Sequence, residues 1–169
     1  MGDALQDALR NWGIPRDLIV IILSALPISE VRGGIPAGLI LGMPLWKTLV
    51  LAVVSNILAV IPLILWGDAA AKWLSRWRLL ARFFDWLFAR ARRKSDIVAK
   101  YGVLGITIFI GIPLPGTGAW TGGMIAVVLG LDFGKSLVCV ILGVLIATVI
   151  VTLACLGVIS LFGIPAVAQ

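Results

Sequence analysis

The sequence predicts an all-α integral membrane protein with two inverted repeats. Each repeat is a re-entrant helical hairpin followed by a transmembrane helix, and an amphipathic interfacial helix joins the two. Of the 169 residues, 61% are hydrophobic and only 13% are charged, whereas soluble domains carry about 25% charged residues. The mean hydropathy is +1.13. A chain of this size cannot bury so much apolar surface in its own core, so lipid must be its solvent.

A duplicated segment predicts the repeats. Residues 26–50 align with residues 114–138 without a gap, 88 positions apart, and 8 of the 25 aligned positions are identical. The identical residues of the first copy are Leu26, Pro27, Gly34, Leu41, Gly42, Lys47, Leu49 and Val50. In membrane transporters, paired hydrophobic segments that are interrupted by Gly and Pro indicate the binding site.

The first repeat covers residues 17–67 and begins with a hairpin. Two apolar arms, 18–28 and 35–45, each have 11 residues, and each would reach about 16 Å, half of the hydrocarbon core. Between them, a turn at 29–34 carries the charged side chains Glu30 and Arg32, which are costly on a lipid-facing helix. We therefore expect the arms to enter and leave the membrane on the same side, with Pro27 and Pro36 among the residues of the turn. A model in which each hairpin is a full crossing stays open.

An uncharged segment at 48–66 completes the first repeat. Its length predicts a spanning helix. We expect Pro62 to kink this helix and Asn56 to face another helix, because a lone amide is costly in lipid.

The connector 68–100 has a different character. At helical spacing, residues 69–94 place Trp and Phe on one face and Arg on the other, which is typical of a helix that lies on a membrane surface. Between Lys72 and Lys100 there are nine Lys or Arg residues and two Asp residues. The positive-inside rule therefore predicts a cytoplasmic connector, one fixed orientation and a multi-pass protein of the cell inner membrane. The aromatic face argues against nucleic acid as the partner.

The second repeat covers residues 101–162 and follows the same plan within a single membrane domain, 1–169. Its hairpin has arms at 103–112 and 121–130, and the final uncharged span is 136–162. The turn between the arms contains Pro113, Pro115, Gly116 and Gly118.

The two turns hold the candidate binding residues. Glu30 is the only Glu in the chain and could exchange a proton, whereas the alternative is a static pair with Arg32. Arg32 can hold an anion through two hydrogen bonds, and Gly33 and Gly34 permit close approach to a helix N-terminus. These glycines could equally serve tight helix packing. The second turn offers a hydroxyl at Thr117 and an aromatic ring at Trp120.

The sequence lacks the residues that several classes of chemistry require. The chain has no His, and its two cysteines, Cys139 and Cys155, are too far apart on a straight helix, about 24 Å, to form a disulfide. No Cys/His cluster, nucleophile–base pair or nucleotide-binding Gly motif is present. We therefore expect no metal, no cofactor and no enzymatic activity.

The segment LPISEVRGGIPAG, followed by IPLPGTGAWTGG, resembles the "putative small multidrug export protein" family of bacteria and archaea. The resemblance runs from about Leu26 to the final span. This family is in turn distantly similar to the DedA-like membrane proteins. That resemblance implies two inverted re-entrant hairpins and translocation of a lipid-carrier phosphate or phospholipid, with Glu30 as the hairpin acid.

These features predict a transporter or lipid translocase for an anionic amphiphile. Its site would lie between the two hairpin turns, and transport could be coupled to protons or sodium. The partners would be membrane lipids and the substrate, and the chain would form a homodimer or larger homo-oligomer, because two spans offer little protein to shield two polar hairpins. One alternative is export of small molecules or drugs, and another is a membrane scaffold or assembly factor that transports nothing.

Overall fold

The computed structural model describes residues 15–74, 102–114 and 117–161, and all regular structure in these ranges is helical. Six helices are numbered in chain order. They are α1 Arg16–Ala25, α2 Glu30–Ile40, α3 Leu45–Leu74, α4 Gly102–Gly111, α5 Ala119–Val128 and α6 Phe133–Leu161. The predicted all-α class is confirmed for the described residues.

The chain divides into two compact units. One contains the described residues of Met1–Asn56 and Ala147–Gln169, and the other contains those of Ile57–Ile146. The first unit therefore holds α1, α2, the start of α3 and the end of α6. The second unit holds α4, α5 and the remaining parts of the two long helices.

Proline residues mark both ends of α1. Pro15 precedes the helix, and its carbonyl oxygen accepts the backbone N–H of Leu18 at 3.0 Å. The helix ends at Ala25, and Leu26 is extended, with φ −70° and ψ 137°. Because a residue before proline avoids the helical region, Pro27 explains why α1 stops there.

The first turn lies earlier than the sequence predicted. It occupies residues 26–29, and α2 begins at Glu30, so the prediction of a turn at 29–34 is wrong. The position of Pro36 is also a correction, because it lies inside α2 and not in the turn. The restriction that Pro27 places on Leu26 ends the first helix early, and the glycines at 33 and 34 are then free to enter the second helix.

The second hairpin agrees closely with its prediction. Helix α4 ends at Gly111, one residue before its predicted end, and α5 begins at Ala119. Pro113 and Gly118 lie in the connection between them, whereas Pro115 and Gly116 lie outside the described residues. The helical arms are thus confirmed in both hairpins. Their re-entrant course in a membrane stays a prediction, as does the inverted orientation of the repeats.

The second helix of each hairpin ends in the same way. After α2, Gly42 has φ 69°, and after α5, Gly130 has φ 70°. In both places the glycine N–H binds the carbonyl three residues back at 3.0 Å, and the next N–H binds the carbonyl five residues back at 3.0 Å. This is the Schellman motif, in which glycine adopts the left-handed conformation at little cost. The duplicated Leu-Gly pair therefore has the same local structure 88 residues apart.

The two long helices are the candidate spans. The apolar segments Leu45–Trp66 and Phe133–Val158 have 22 and 26 residues, or about 33 and 39 Å at 1.5 Å per residue, which is enough to cross a hydrocarbon core of about 30 Å. Helix α3 leaves helical geometry at Trp66, with φ −123° and ψ 20°. Pro62 lies inside α3 four residues before this interruption, and a kink at Pro62 itself stays a prediction.

Helix α3 continues to Leu74 and so includes the first residues of the predicted connector. The rest of the connector, including most of the amphipathic segment 69–94, lies outside the described residues. Its interfacial position and cytoplasmic location stay predictions.

Candidate functional site

Glu30 has an unusual backbone for its residue type. It is the first residue of α2, its φ is +51°, and only 5% of its surface is exposed. Among the described non-glycine residues it alone has a positive φ. A Cβ atom makes this conformation costly by about 1–3 kcal/mol. The packing around the first turn therefore holds a buried carboxylate in a strained backbone position.

Arg32 follows in the first turn of α2 and is half-buried. The Glu30 carboxylate interacts electrostatically with its guanidinium. Residues i and i+2 point to different sides of a regular helix. The left-handed backbone at Glu30 breaks that regularity at the helix start. The predicted proximity of the two charges is thus present, although the irregular residue is Glu30 and not the glycine pair.

Hydrogen bonds secure the turn that carries Glu30. The Ser29 hydroxyl donates to the carbonyl oxygen of Leu23, and the Glu30 N–H donates to the carbonyl oxygen of Leu26 at 3.0 Å. These bonds tie the start of α2 to the end of α1. They place Glu30 at the tip of the first hairpin.

Gly33 and Gly34 are packing positions in α2. A Cβ atom at Gly33 would lie 2.6 Å from the Ser29 Cβ, and one at Gly34 would lie 1.8 Å from the Ser24 Oγ. Contacts this short cannot form without movement of the backbone or its neighbours. The geometry therefore supports the packing alternative for both glycines, and their predicted contact with a substrate stays a prediction.

The second turn gives Thr117 a structural role. Its single hydroxyl proton is shared between the carbonyl oxygens of Ile112 at 2.6 Å and Leu114 at 3.0 Å, and its oxygen accepts the Leu114 N–H at 3.3 Å. The side chain thus closes the loop before α5. Trp120 is half-buried in the first turn of α5. That the two hairpin turns meet at a shared site stays a prediction.

A buried polar contact joins α1 and α3. The Asn56 Nδ2 donates to the carbonyl oxygen of Ser24 at 3.0 Å, and both residues are fully buried. The prediction that Asn56 faces another helix is confirmed. The Ser24 Oγ and the Asn56 Oδ1 make no hydrogen bond within the described structure. Ser24 was not predictable as a site residue, because one Ser in an apolar helix has no distinguishing pattern.

Helix α6 also carries buried hydroxyls that were not among the predicted site residues. The Oγ1 atoms of Thr148 and Thr152 form no hydrogen bond with any described residue. By contrast, Thr48, Ser55 and Thr107 donate to the carbonyl four residues earlier, at 3.1, 2.6 and 2.9 Å. Such back-bonding is the usual arrangement for hydroxyls in apolar helices. The i, i+4 spacing that Thr148 and Thr152 share was the available signal.

The surface of the described helices is strongly apolar. Large side chains are widely exposed, with 59% of Leu58, 71% of Leu104 and 64% of Leu153 accessible. Such continuous apolar exposure is unfavourable in water but suits contact with lipid. Among the described residues, no group of three or more His, Cys, Asp or Glu could hold a metal ion.

A family model described as "Putative small multi-drug export protein" matches residues 30–150. The chain belongs to this family. The matched region begins at Glu30 and ends within α6, so it includes α2, the first apolar span, α4, α5 and the second apolar span as far as residue 150. Together with the two apolar helices, membership identifies a membrane protein of the transporter kind. The comparisons with curated proteins and with solved structures found no match.

Proposed function

We propose that this member of the small multidrug export family is an ion-coupled secondary transporter for an amphiphile with an anionic group. A lipid-carrier phosphate or a phospholipid has that chemistry. The observation that carries the proposal is the buried Glu30, held at φ +51° beside Arg32 at the tip of a short hairpin. The proposal also rests on inverted repeats whose hairpins enter the membrane without crossing it.

The strained position of Glu30 supports a functional role. Strained non-glycine residues persist only where the surroundings hold them, and they concentrate at functional sites. A buried charge adds a second cost. A sequence selected for stability alone would place Gly or Asn here, because these residues adopt a positive φ more easily.

The position of Arg32 supports an anionic substrate. Its guanidinium lies in the first turn of α2, where the helix dipole also favours negative charge. Phosphate groups bind arginine through two parallel hydrogen bonds. A phosphate on an amphiphile could exchange with the Glu30 carboxylate at the guanidinium. We propose that Glu30 and Arg32 form a pair in the resting state, because a lone Arg at that depth is costly, and such a pair favours sodium over protons as the coupling ion.

The proposed setting is the cell inner membrane, with the basic connector 72–100 on the cytoplasmic side. We propose a homodimer or larger homo-oligomer as the working unit. Three small residues of α6 suit helix contacts in such an oligomer, namely Gly143, Ala147 and Ala154. Gly143 packs within the chain, where an added Cβ would lie 2.5 Å from the Ile110 Cβ, and Ala147 is also buried. Ala154 is exposed and is the one of the three that is available to a second copy.

Two other functions remain candidates. The description of the family favours export of small molecules or drugs. A scaffold or assembly factor would use the basic connector to bind anionic lipid or a cytoplasmic partner. It would have no need of a strained, buried acid in the first hairpin.

A reconstituted flux assay separates these functions. Purified protein in liposomes is supplied with a fluorescent phosphatidylglycerol and, in separate vesicles, with the cationic dye ethidium. We expect movement of the anionic lipid above that in protein-free vesicles. Glu30→Gln and Arg32→Ala should slow it at least about tenfold, equivalent to roughly 1.4 kcal/mol. Asp132→Asn, which alters an exposed carboxylate, is the matched control.

Each outcome has one interpretation. If both hairpin variants fold and move the lipid at the parental rate, the site assignment is wrong. Movement of ethidium alone would favour drug export. An intact fold without flux of either probe under any gradient would favour the scaffold.

A further inference from the structure

We propose a binding site for a small monovalent cation, Na⁺, between the C-terminal end of α1 and the middle of α3, with Ser24 and Asn56 as ligands. The site deepens the proposed function by assigning its coupling ion, and its part in coupling rests on that function. Binding of the ion itself does not require transport.

Two fully buried oxygen atoms define the site. The Asn56 Nδ2 donates to the Ser24 carbonyl at 3.0 Å, so the amide is oriented and its Oδ1 is the remaining acceptor. Neither this Oδ1 nor the Ser24 Oγ has a hydrogen-bond partner within the described structure, and both residues are 0% exposed. A buried polar atom without a hydrogen-bond partner destabilises the folded state. A ligand that binds these two oxygen atoms would therefore stabilise the protein.

The surroundings favour a cation. An amide oxygen only accepts hydrogen bonds, so an anion cannot satisfy it. Ser24 is the next-to-last residue of α1, where the helix dipole attracts positive charge. In transporters with interrupted helices, such C-terminal ends and neighbouring carbonyl groups coordinate Na⁺.

Gly34 brings the backbone of α2 close to two oxygen atoms of α1. A Cβ atom at Gly34 would lie 1.8 Å from the Ser24 Oγ and 3.3 Å from the Val20 carbonyl oxygen. Both oxygens therefore lie on the side of α1 that packs against Gly34. These ligands are neutral, which suits a monovalent ion better than Ca²⁺ or Mg²⁺, since the divalent ions are held by carboxylates.

The second repeat shows that the fold does not need these polar groups. Where Gly34 faces Ser24, Gly122 faces Ile110, with 2.2 Å between an added Cβ and the Ile110 Cγ1. Position 144, which is aligned with Asn56, is a buried Val. The contact that Gly122 makes in the second hairpin is thus apolar, so close packing against this glycine does not by itself require a polar partner such as Ser24.

Thermal unfolding of the full-length purified protein in detergent tests the proposal. NaCl, KCl and choline chloride are compared at constant ionic strength and pH. We expect Na⁺ to raise the Tm in a saturable way, by about 2–4 °C at saturation, and K⁺ and choline to leave it unchanged. Ser24→Ala and Asn56→Val should remove the response. Ser55→Ala, whose hydroxyl donates to the Leu51 carbonyl at 2.6 Å, should keep it.

Direct binding of ²²Na⁺ to the parental protein provides the second measurement, in case Asn56→Val does not fold. Saturable ²²Na⁺ binding that Ser24→Ala weakens at least about tenfold would support the site. Equal effects of Na⁺ and K⁺ on the parent, or an unchanged Na⁺ response in Ser24→Ala, would overturn it. Lipid flux without Na⁺ binding would refute only this site, whereas Na⁺ binding without flux would refute only the transport function.

Discussion

Gly38 lies so close to Thr48 that a Cβ atom at position 38 would be 2.4 Å from the Thr48 γ-methyl carbon. The contact joins α2 to the start of α3. In the second repeat the aligned residues are Ala126 and Ser136, both fully buried. In the first repeat, Gly38 has no side chain and Thr48 has a γ-methyl group. In the second repeat, Ala126 has a methyl side chain and Ser136 has no γ-methyl group. The combined side-chain volume of the two positions is therefore the same in both repeats, but one methyl group belongs to the other position of the pair.

This exchange predicts a compensating pair of substitutions. Gly38→Ala should lower the free energy of unfolding by about 1–3 kcal/mol, the usual cost of overpacking. Adding Thr48→Ser should recover most of that loss, because Ser lacks the obstructing methyl and keeps the hydroxyl that bonds the Pro44 carbonyl at 3.1 Å. Thermal unfolding of the parent, both single variants and the double variant gives the four stabilities of a double-mutant cycle, which measures the coupling between the two positions.

Gly157→Ala is the matched control for the glycine substitution. It is exposed in α6, and no atom lies within 4 Å of an added Cβ. It should be neutral or slightly stabilising, because Ala favours helix over Gly. A double variant no more stable than Gly38→Ala alone would contradict the packing argument.

The strain at Glu30 is measurable by comparing two substitutions that both remove the carboxylate. Glu30→Gly should be more stable than Glu30→Ala by about 1 kcal/mol, because only Gly relieves the positive φ. Both should lose transport to the same extent if the carboxylate is required. Equal Tm values for the two variants would show that the backbone at position 30 is not strained.

Thr117 offers a test of turn structure against substrate contact. Thr117→Val removes the hydroxyl that bonds the Ile112 and Leu114 carbonyls and should cost about 1 kcal/mol of stability. Thr117→Ser should keep both the stability and the flux. A Val variant with parental stability but slower lipid flux would instead assign the hydroxyl to the substrate.

Asp132 predicts a small dependence of stability on pH. Its side chain accepts hydrogen bonds from the Lys135 side chain and backbone N–H at the start of α6, and these bonds lower the pKa of this carboxyl. A carboxyl whose pKa is lower in the folded state stabilises the protein above the unfolded pKa, about 3.9. That contribution is lost as pH falls through the folded value.

Because Asp132 is exposed, the effect should be small and should weaken in high salt. Tm values between pH 2.5 and 6 for the parent and Asp132→Asn measure it. Parallel profiles for the two proteins would show that the Asp132 carboxylate contributes nothing to stability.

Much of the helical architecture follows from local rules. The residues before Pro27 and Pro113 avoid helical geometry, so the ends of α1 and α4 could be predicted to within a few residues. Gly42 and Gly130 can adopt the left-handed conformation cheaply, and they end α2 and α5. The long apolar runs define the spans by their length alone. Each of these features depends on neighbours in the chain.

The candidate site depended on contacts that no local pattern specifies. From sequence, Gly33 and Gly34 were compatible with either a turn or a helix. In the structure both are helical, and they pack against Ser29 and Ser24. The left-handed backbone of Glu30 goes against its residue preference, so only the surrounding hairpin could impose it. Ser24 and Asn56 are 32 residues apart, and their pairing required α1 and α3 to be packed. Sequence therefore determined the membrane class, the helices and the presence of two similar halves, whereas tertiary packing decided which polar atoms are buried together.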